Sequence, residues 1–176
     1  MRTGRWKKIV LGTAGSEIAE AALVLPLAFL LLLAIYWFGR AFNVYATINH
    51  AAREGARVAV ASTCGSCGNN ATTPSTIAGV VTTTLQASGV DPSKISLYSS
   101  APTFCSGTQG SNCNNPGTNN NITICNQVQL TPNTSPGPPV CGVSVSFQYP
   151  YSFSLPYPAN AISLQLKADV QMRGVY

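Results

Sequence analysis

The sequence has 176 residues, of which only 9% are charged, against roughly 25% in an ordinary soluble protein. The net charge is +5, but the basic residues cluster before and just after one apolar run and are sparse elsewhere. They form no continuous basic stripe, which argues against nucleic-acid binding. The length leaves room for about one domain and a membrane segment.

The first element is an apolar run over residues 21–39, which contains no charged side chain. As a helix, a run of this length crosses a hydrocarbon core of about 30 Å. It has no polar face, unlike a surface helix of a soluble domain. Tyr36 and Trp37 lie at its far end, where amphipathic rings favour the membrane interface. The run predicts a single transmembrane helix.

The flanks of this run predict its orientation. Four basic residues and no acid precede Ser16, which favours a cytoplasmic N-terminus. A cleaved secretory signal is the alternative, but its apolar core is usually about 7–15 residues and ends at a small-x-small site. This run is longer and ends in aromatic residues, so we expect an anchor.

Glu20 stands immediately before the apolar run, and Glu17 one turn earlier. Two interpretations remain open from composition. Both acids lie in the headgroup region at a helix N-terminus, where the dipole favours them, or a carboxylate at bilayer depth has a specific partner.

Residues 40–61 continue the helical pattern beyond the membrane. Ala51, Gly55 and Ala59 form one strip of small residues at a spacing of four. Such a strip lets helix backbones approach closely. It predicts packing against another helix of the same kind or against the chain's own sheet, and the pattern does not choose between them.

Four elements occur in a fixed order: Gly15 with Glu20 at the fifth position after it, ALVLP at 22–26, FGR at 38–40 and AAREGAR at 51–57. Together they resemble the TadE-like family, pilin-like proteins of the tight-adherence pilus system. The resemblance covers roughly residues 12–61. It departs from many pilin-like proteins at Ala21, where an aromatic residue is common, and in the extra acid Glu17.

The resemblance implies a function. A prepilin peptidase would remove a basic leader, residues 1–15, by cutting between Gly15 and Ser16. Glu20 would then neutralise the new amine of a neighbouring subunit during assembly. The expected partners are that peptidase, other pilin-like subunits, the assembly machinery and the membrane.

The part after residue 61 is rich in Ser, Thr, Asn, Gly and Pro. Apolar spacing predicts a short amphipathic helix over 74–89, and alternation predicts strands over 95–98, 122–130, 141–149 and 162–170. Residues 104–121 read as a loop and 131–139 as a Pro-rich linker. We expect an α+β protein: a transmembrane helix continuing into an extracytoplasmic amphipathic helix over 16–61, then a small antiparallel, pilin-like sheet domain over 62–176.

Six cysteines lie in this part, an even number that indicates disulfides formed in an oxidising compartment. A redox pair at Cys64 and Cys67 would be expected in a βαβ unit, which is not evident. A zinc site would need a second closely spaced pair or a nearby histidine, and neither is evident. The six are Cys64, Cys67, Cys105, Cys113, Cys125 and Cys141.

These features are compatible with three kinds of function. The favoured one is a pseudopilin-like assembly component, located in a bacterial inner membrane with its outer domain in the periplasm or outside the cell. The alternative is an uncleaved, membrane-anchored binding module. An enzyme is disfavoured, because Asp91 and Asp169 are the only side-chain carboxylates after the helix and no histidine accompanies them. We expect no cofactor, no metal and no small-molecule substrate.

Overall fold

The computed structural model describes residues 14–61, 72–98, 102–105, 113–115, 121–130, 140–154 and 161–174. The chain divides into two compact units, the first ending at Arg40 and the second beginning at Ala41. The described elements are two helices, a single 3-10 turn and four strands, which confirms the α+β class.

Helix α1 runs Ala14–Val60 and is one unbroken helix in spite of Pro26. A proline inside a helix removes one backbone donor, and membrane helices tolerate this where neighbouring groups satisfy the carbonyl. The predicted helix over 16–61 therefore agrees with the structure to within two residues at each end, as helix boundaries usually do.

Helix α2, Pro74–Ala87, confirms the helix predicted from apolar spacing. Pro74 fits its first turn because the amide that proline lacks would have no helical partner there. The turn that ends the helix contains Gly89, whose φ is +73°. The Val90 amide donates to the Leu85 carbonyl and the Gly89 amide to the Gln86 carbonyl, the pair of bonds that closes a helix with a left-handed glycine.

The sheet contains β1 (Cys113–Asn114), β2 (Thr123–Gln129), β3 (Cys141–Ser154) and β4 (Ala161–Arg173), in that spatial order. All neighbouring pairs are antiparallel. The strands predicted at 122–130, 141–149 and 162–170 are present, and the last two extend further than the alternation indicated. β3 and β4 pair from Gly142 with Arg173 to Ser154 with Ala161 without a break in register.

Two predicted segments differ from the structure. The strand expected over 95–98 is reduced to one bridge, in which Ser96 exchanges backbone hydrogen bonds with Gln148 of β3. The loop expected over 104–121 contains β1 and a bridge from Phe104 to Val128. β1 and the bridge at Phe104 are too short for alternation to reveal them. The predicted linker over 131–139 lies outside the described residues.

A bulge in β2 separates the two segments that pair with its outer edge. The register shifts between Cys125 and Val128, and Gln127 takes a φ of +58° there. The bulge lets the Gln127 carbonyl accept from the Cys105 amide. The described part of this edge is thus made of short pieces on both sides of an irregularity.

The hydrophobic core of the second unit lies between the helices and one face of the sheet. Its largest fully buried side chain is Phe147 of β3. The second half of α1 supplies Ile48, Ala51, Ala52, Ala56 and Ala59; α2 supplies Ile77, Ala78, Val81 and Leu85; and the sheet supplies Ile124, Val143, Val145, Phe147 and Ala168 among others.

Candidate functional site

The first half of α1 exposes apolar side chains around its circumference. It is long and apolar enough to cross a membrane, and no residue of its most apolar 18-residue window is buried. Leu23 and Phe38 are each 73% exposed. Such a surface far exceeds the apolar patches of soluble monomers, so this helix fits a single-pass membrane anchor. Its exposed residues include Leu25, Leu27, Phe29, Leu30, Leu31, Leu32, Ile35 and Phe42.

The polar limits of this apolar segment are both exposed. Glu20 lies in the second turn of α1 and faces outward. At the other end the rings of Tyr36 and Trp37 meet edge to face at 5.7 Å, followed by the exposed Arg40. Aromatic rings beside a cation are typical of a membrane interface.

The predicted cleavage site lies at the beginning of the same helix. Gly15 and Ser16 have helical backbone in the first turn of α1. The surroundings of their side chains, and those of Glu17, are outside the described part of the structure. The carboxylate of Glu20 is therefore about one helical turn from the amine that a cut after Gly15 would create.

The strip of small residues is buried inside this chain. Ala51 is fully buried and Ala59 is 3% exposed. A Cβ placed on Gly55 would lie 2.5 Å from Cγ2 of Val81 and 3.6 Å from Cγ2 of Ile77. At Gly55, therefore, α1 and α2 lie close together. The sequence left two partners open, a helix of the same kind from another protein or the chain's own sheet. At Gly55 the structure shows neither of these but α2 of the same chain.

The opposite side of this part of α1 is polar. His50, Arg53 and Arg57 are exposed, at spacings of three and four. This is the solvent-facing stripe of an amphipathic helix whose other side is the core.

Two disulfides link segments of the sheet. Cys113 of β1 bonds to Cys125 directly opposite on β2, and Cys105 bonds to Cys141 at the start of β3. These bonds confirm the expectation of disulfides in the part after residue 61. Cys64 and Cys67 lie outside the described residues.

The residues that the structure describes contain no cluster of side chains that suggests a metal site. Within the ranges that the structure describes, no three His, Cys, Asp or Glu side chains are close enough to hold an ion. The sequence pattern did not indicate the contact between Lys167 and Tyr98, in which the amine lies 4.6 Å from the ring centroid. Nor did it indicate the hydrogen bond that Ser144 donates to Asp169, at 3.2 Å.

Comparison with known proteins adds one finding. The family model described as "TadE-like protein" matches residues 15–57, a stretch that lies wholly within α1 and begins at the predicted cleavage site. The match confirms the resemblance over that helix. Searches of curated proteins and of solved structures found no match.

Proposed function

We propose, from the TadE-like match of residues 15–57, that the protein is a pseudopilin-like component of a tight-adherence pilus. A prepilin peptidase cuts it after Gly15. The mature chain then acts by contact with other pilin-like subunits rather than by catalysis. The family resemblance supports the pilin-like role; the cut and the assembly step are our inference for this chain.

The observation that carries the proposal is the apolar half of α1, exposed on every side from Ile18 onward. A bilayer can solvate such a helix before assembly, and apolar helices of neighbouring subunits can cover it afterwards. The second half of the same helix is already covered by its own domain. One helix would therefore connect an assembly segment to a folded outer domain.

The charges at the start of α1 support a role for the cut. Removal of residues 1–15 takes away four of the ten basic residues and no acid, leaving six basic against five acidic residues. It also creates an amine on Ser16. In a low-dielectric assembly, Glu20 of one subunit would offset the cost of burying that amine on its neighbour.

We infer the location from the flanks and the cysteines. The basic leader favours a cytoplasmic N-terminus, and the two disulfides among the described residues of the second unit favour an oxidising compartment. Together they support an inner-membrane protein with its outer domain in the periplasm or within a surface fibre.

Mass measurement of the full-length product tests the cut. In cells that contain the matching prepilin peptidase, we expect loss of residues 1–15. Deleting the peptidase, or changing Gly15→Leu, should leave the leader in place. Gly39→Ala is the matched control, because a Cβ there meets no atom within 4 Å. An intact N-terminus beside an active peptidase would refute processing and favour the uncleaved, membrane-anchored binding module.

A further inference from the structure

The two edges of the sheet differ in length and regularity. On one side β1 has two residues and the neighbouring β2 carries a bulge. On the other side β4 runs for 13 residues and pairs with β3 in unbroken register. Among the described strands β4 has no neighbour on its outer side. A long, regular edge is a template for another strand.

The ladder determines which backbone groups point outward from β4. Gln148 of β3 directs both its amide and its carbonyl to Ser96, away from β4. Its partner Lys167 must therefore direct its own groups away from β3, because bonded and non-bonded pairs alternate in an antiparallel ladder. Every second residue shares this orientation: Ser163, Gln165, Lys167, Asp169, Gln171 and Arg173.

We propose that two copies of this protein pair through β4, antiparallel and centred on Ala168, to form one continuous sheet. Ser163 of one copy would lie opposite Arg173 of the other, and Gln165 opposite Gln171. All outward backbone groups between Ser163 and Arg173 would then meet outward groups of the second copy. This interaction surface does not depend on the proposed role in a pilus.

Charge selects the register. Centred on Ala168, each Lys167 lies opposite an Asp169 of the other copy, and by symmetry this happens twice. A shift of two residues in either direction sets Lys167 against Lys167 or Asp169 against Asp169, and like charges directly opposite are destabilising. A shift of one residue brings outward groups against groups already bonded to β3.

The other face of the strand fits the same register. Leu166 would lie opposite Val170, and Leu164 opposite Met172. Leu166, Val170 and Met172 are half-buried, and Leu164 is 47% exposed. Side chains at such non-bonded positions come close together, so pairing would cover apolar surface that the single copy leaves partly open.

Lysine on an edge strand often serves to block pairing altogether. Here Asp169 lies two residues away on the same face of β4 as Lys167, and both side chains are exposed. A lone lysine repels a second copy of itself in the symmetric register about its own position. The adjacent acid makes one register attractive, so Lys167 and Asp169 together favour pairing with a second copy in that register alone.

The test is a charge-reversal cycle on the full chain in detergent micelles, with the dimer fraction measured by analytical ultracentrifugation. We expect the wild type to form dimers at micromolar concentration. Lys167→Asp and Asp169→Lys should each weaken dimerisation about tenfold, since each places like charges opposite one another twice. The double variant K167D/D169K should restore dimerisation.

The rescue separates pairing between copies from contacts within one copy. The double variant restores neither the contact of Lys167 with Tyr98 nor the hydrogen bond from Ser144 to Asp169. Lys94→Asp, on the exposed 3-10 turn, is the matched control and should dimerise like the wild type. Circular dichroism of each variant establishes that it is folded.

Three results would overturn the proposal. One is a monomeric wild type, including a monomer that pairs only with a different pilin-like subunit. Another is a dimer whose stability is the same in all variants, which would indicate association through α1. The third is a folded double variant that remains as weak as the single variants.

Discussion

The short distance between α1 and α2 explains why position 55 is a glycine. A methyl group at this position would lie 2.5 Å from Cγ2 of Val81, which is fully buried. Alanine favours a helix over glycine by about 1 kcal/mol, but overpacking a core costs about 1–3 kcal/mol. The steric cost is the larger, so Gly55→Ala should lower the free energy of unfolding by roughly 1 kcal/mol.

Thermal unfolding of the full chain in micelles measures this effect. Gly79→Ala is the matched control, because Gly79 is exposed on α2 and a Cβ there meets no atom within 4 Å. It should raise stability by about 0.5–1 kcal/mol. Adding Val81→Ala to Gly55→Ala removes the clashing methyl group and should recover part of the loss. Equal stabilisation by both glycine substitutions would contradict the close approach of α1 and α2.

Glu20 carries the assembly proposal at the level of one side chain. Glu20→Ala should leave the protein inserted in the membrane, because the apolar segment after it is unchanged. Incorporation into the pilus should fall by at least about tenfold, since an amine buried without its partner costs several kcal/mol. Extraction at alkaline pH measures insertion, and the amount of protein in the sheared fibre fraction measures incorporation. Glu17→Ala tests whether the effect belongs to Glu20, and normal incorporation of Glu20→Ala would exclude the proposed role.

At the scale of elements, the disulfides compensate for short strands. A two-residue strand such as β1 has too little backbone pairing to stay in place alone. Cys113–Cys125 closes a separation of 12 residues and Cys105–Cys141 one of 36. Loop entropy gives about 3 kcal/mol for the shorter loop and closer to 4 kcal/mol for the longer one.

Replacing each pair with serine tests this order. C105S/C141S should lower the melting temperature more than C113S/C125S, with both proteins measured in micelles under oxidising conditions. Because the inner bond lies within the outer loop, the two losses should not add when all four cysteines are replaced. A greater loss from the inner pair would show that its local effect on β1 outweighs loop entropy.

The elements that could be predicted from the sequence are those in which a hydrophobic pattern continues over many residues. α1 follows from its apolar run and the helical pattern after it, α2 from its apolar spacing, and β3 and β4 from alternation. At 95–98 the alternation predicted a strand, but only Ser96 pairs with β3. The bridge at Phe104 could not be predicted, since one residue carries no period and its pairing depends on a strand distant in sequence. The same applies to Gln127, where a non-glycine residue takes a positive φ because the bulge directs its carbonyl to Cys105.

The candidate site divides in the same way. Gly15, Glu20 and the apolar segment could be recognised from sequence because order and spacing define them. The partner of the small-residue strip could not be recognised from sequence. Small residues at a spacing of four allow a helix to approach closely, but they do not identify which helix it is. Ile77 and Val81 take that place through the tertiary fold.

At the scale of the whole molecule, α1 belongs to both units, and its second half is part of the outer domain's core. Ile48, Ala51, Ala52, Ala56 and Ala59 are all buried in the same cluster as the sheet. The sequence predicts a separate domain over 62–176, whereas the second compact unit begins at Ala41. The two boundaries differ in whether the folded domain keeps these five side chains.

Two fragments distinguish the boundaries. A fragment beginning at Ala41 retains every member of the core cluster and omits the apolar membrane segment. Exported to an oxidising compartment, it should be soluble without detergent, form the Cys105–Cys141 and Cys113–Cys125 bonds and unfold cooperatively. A fragment beginning at Ser62 lacks Ile48 and the four buried alanines. Loss of one large buried aliphatic side chain alone costs about 2–5 kcal/mol, a large share of a typical domain stability of about 5–15 kcal/mol. We expect it to misfold, with scrambled disulfides in peptide mapping. Equal stability of the two fragments would show that the second half of α1 is dispensable for the outer domain.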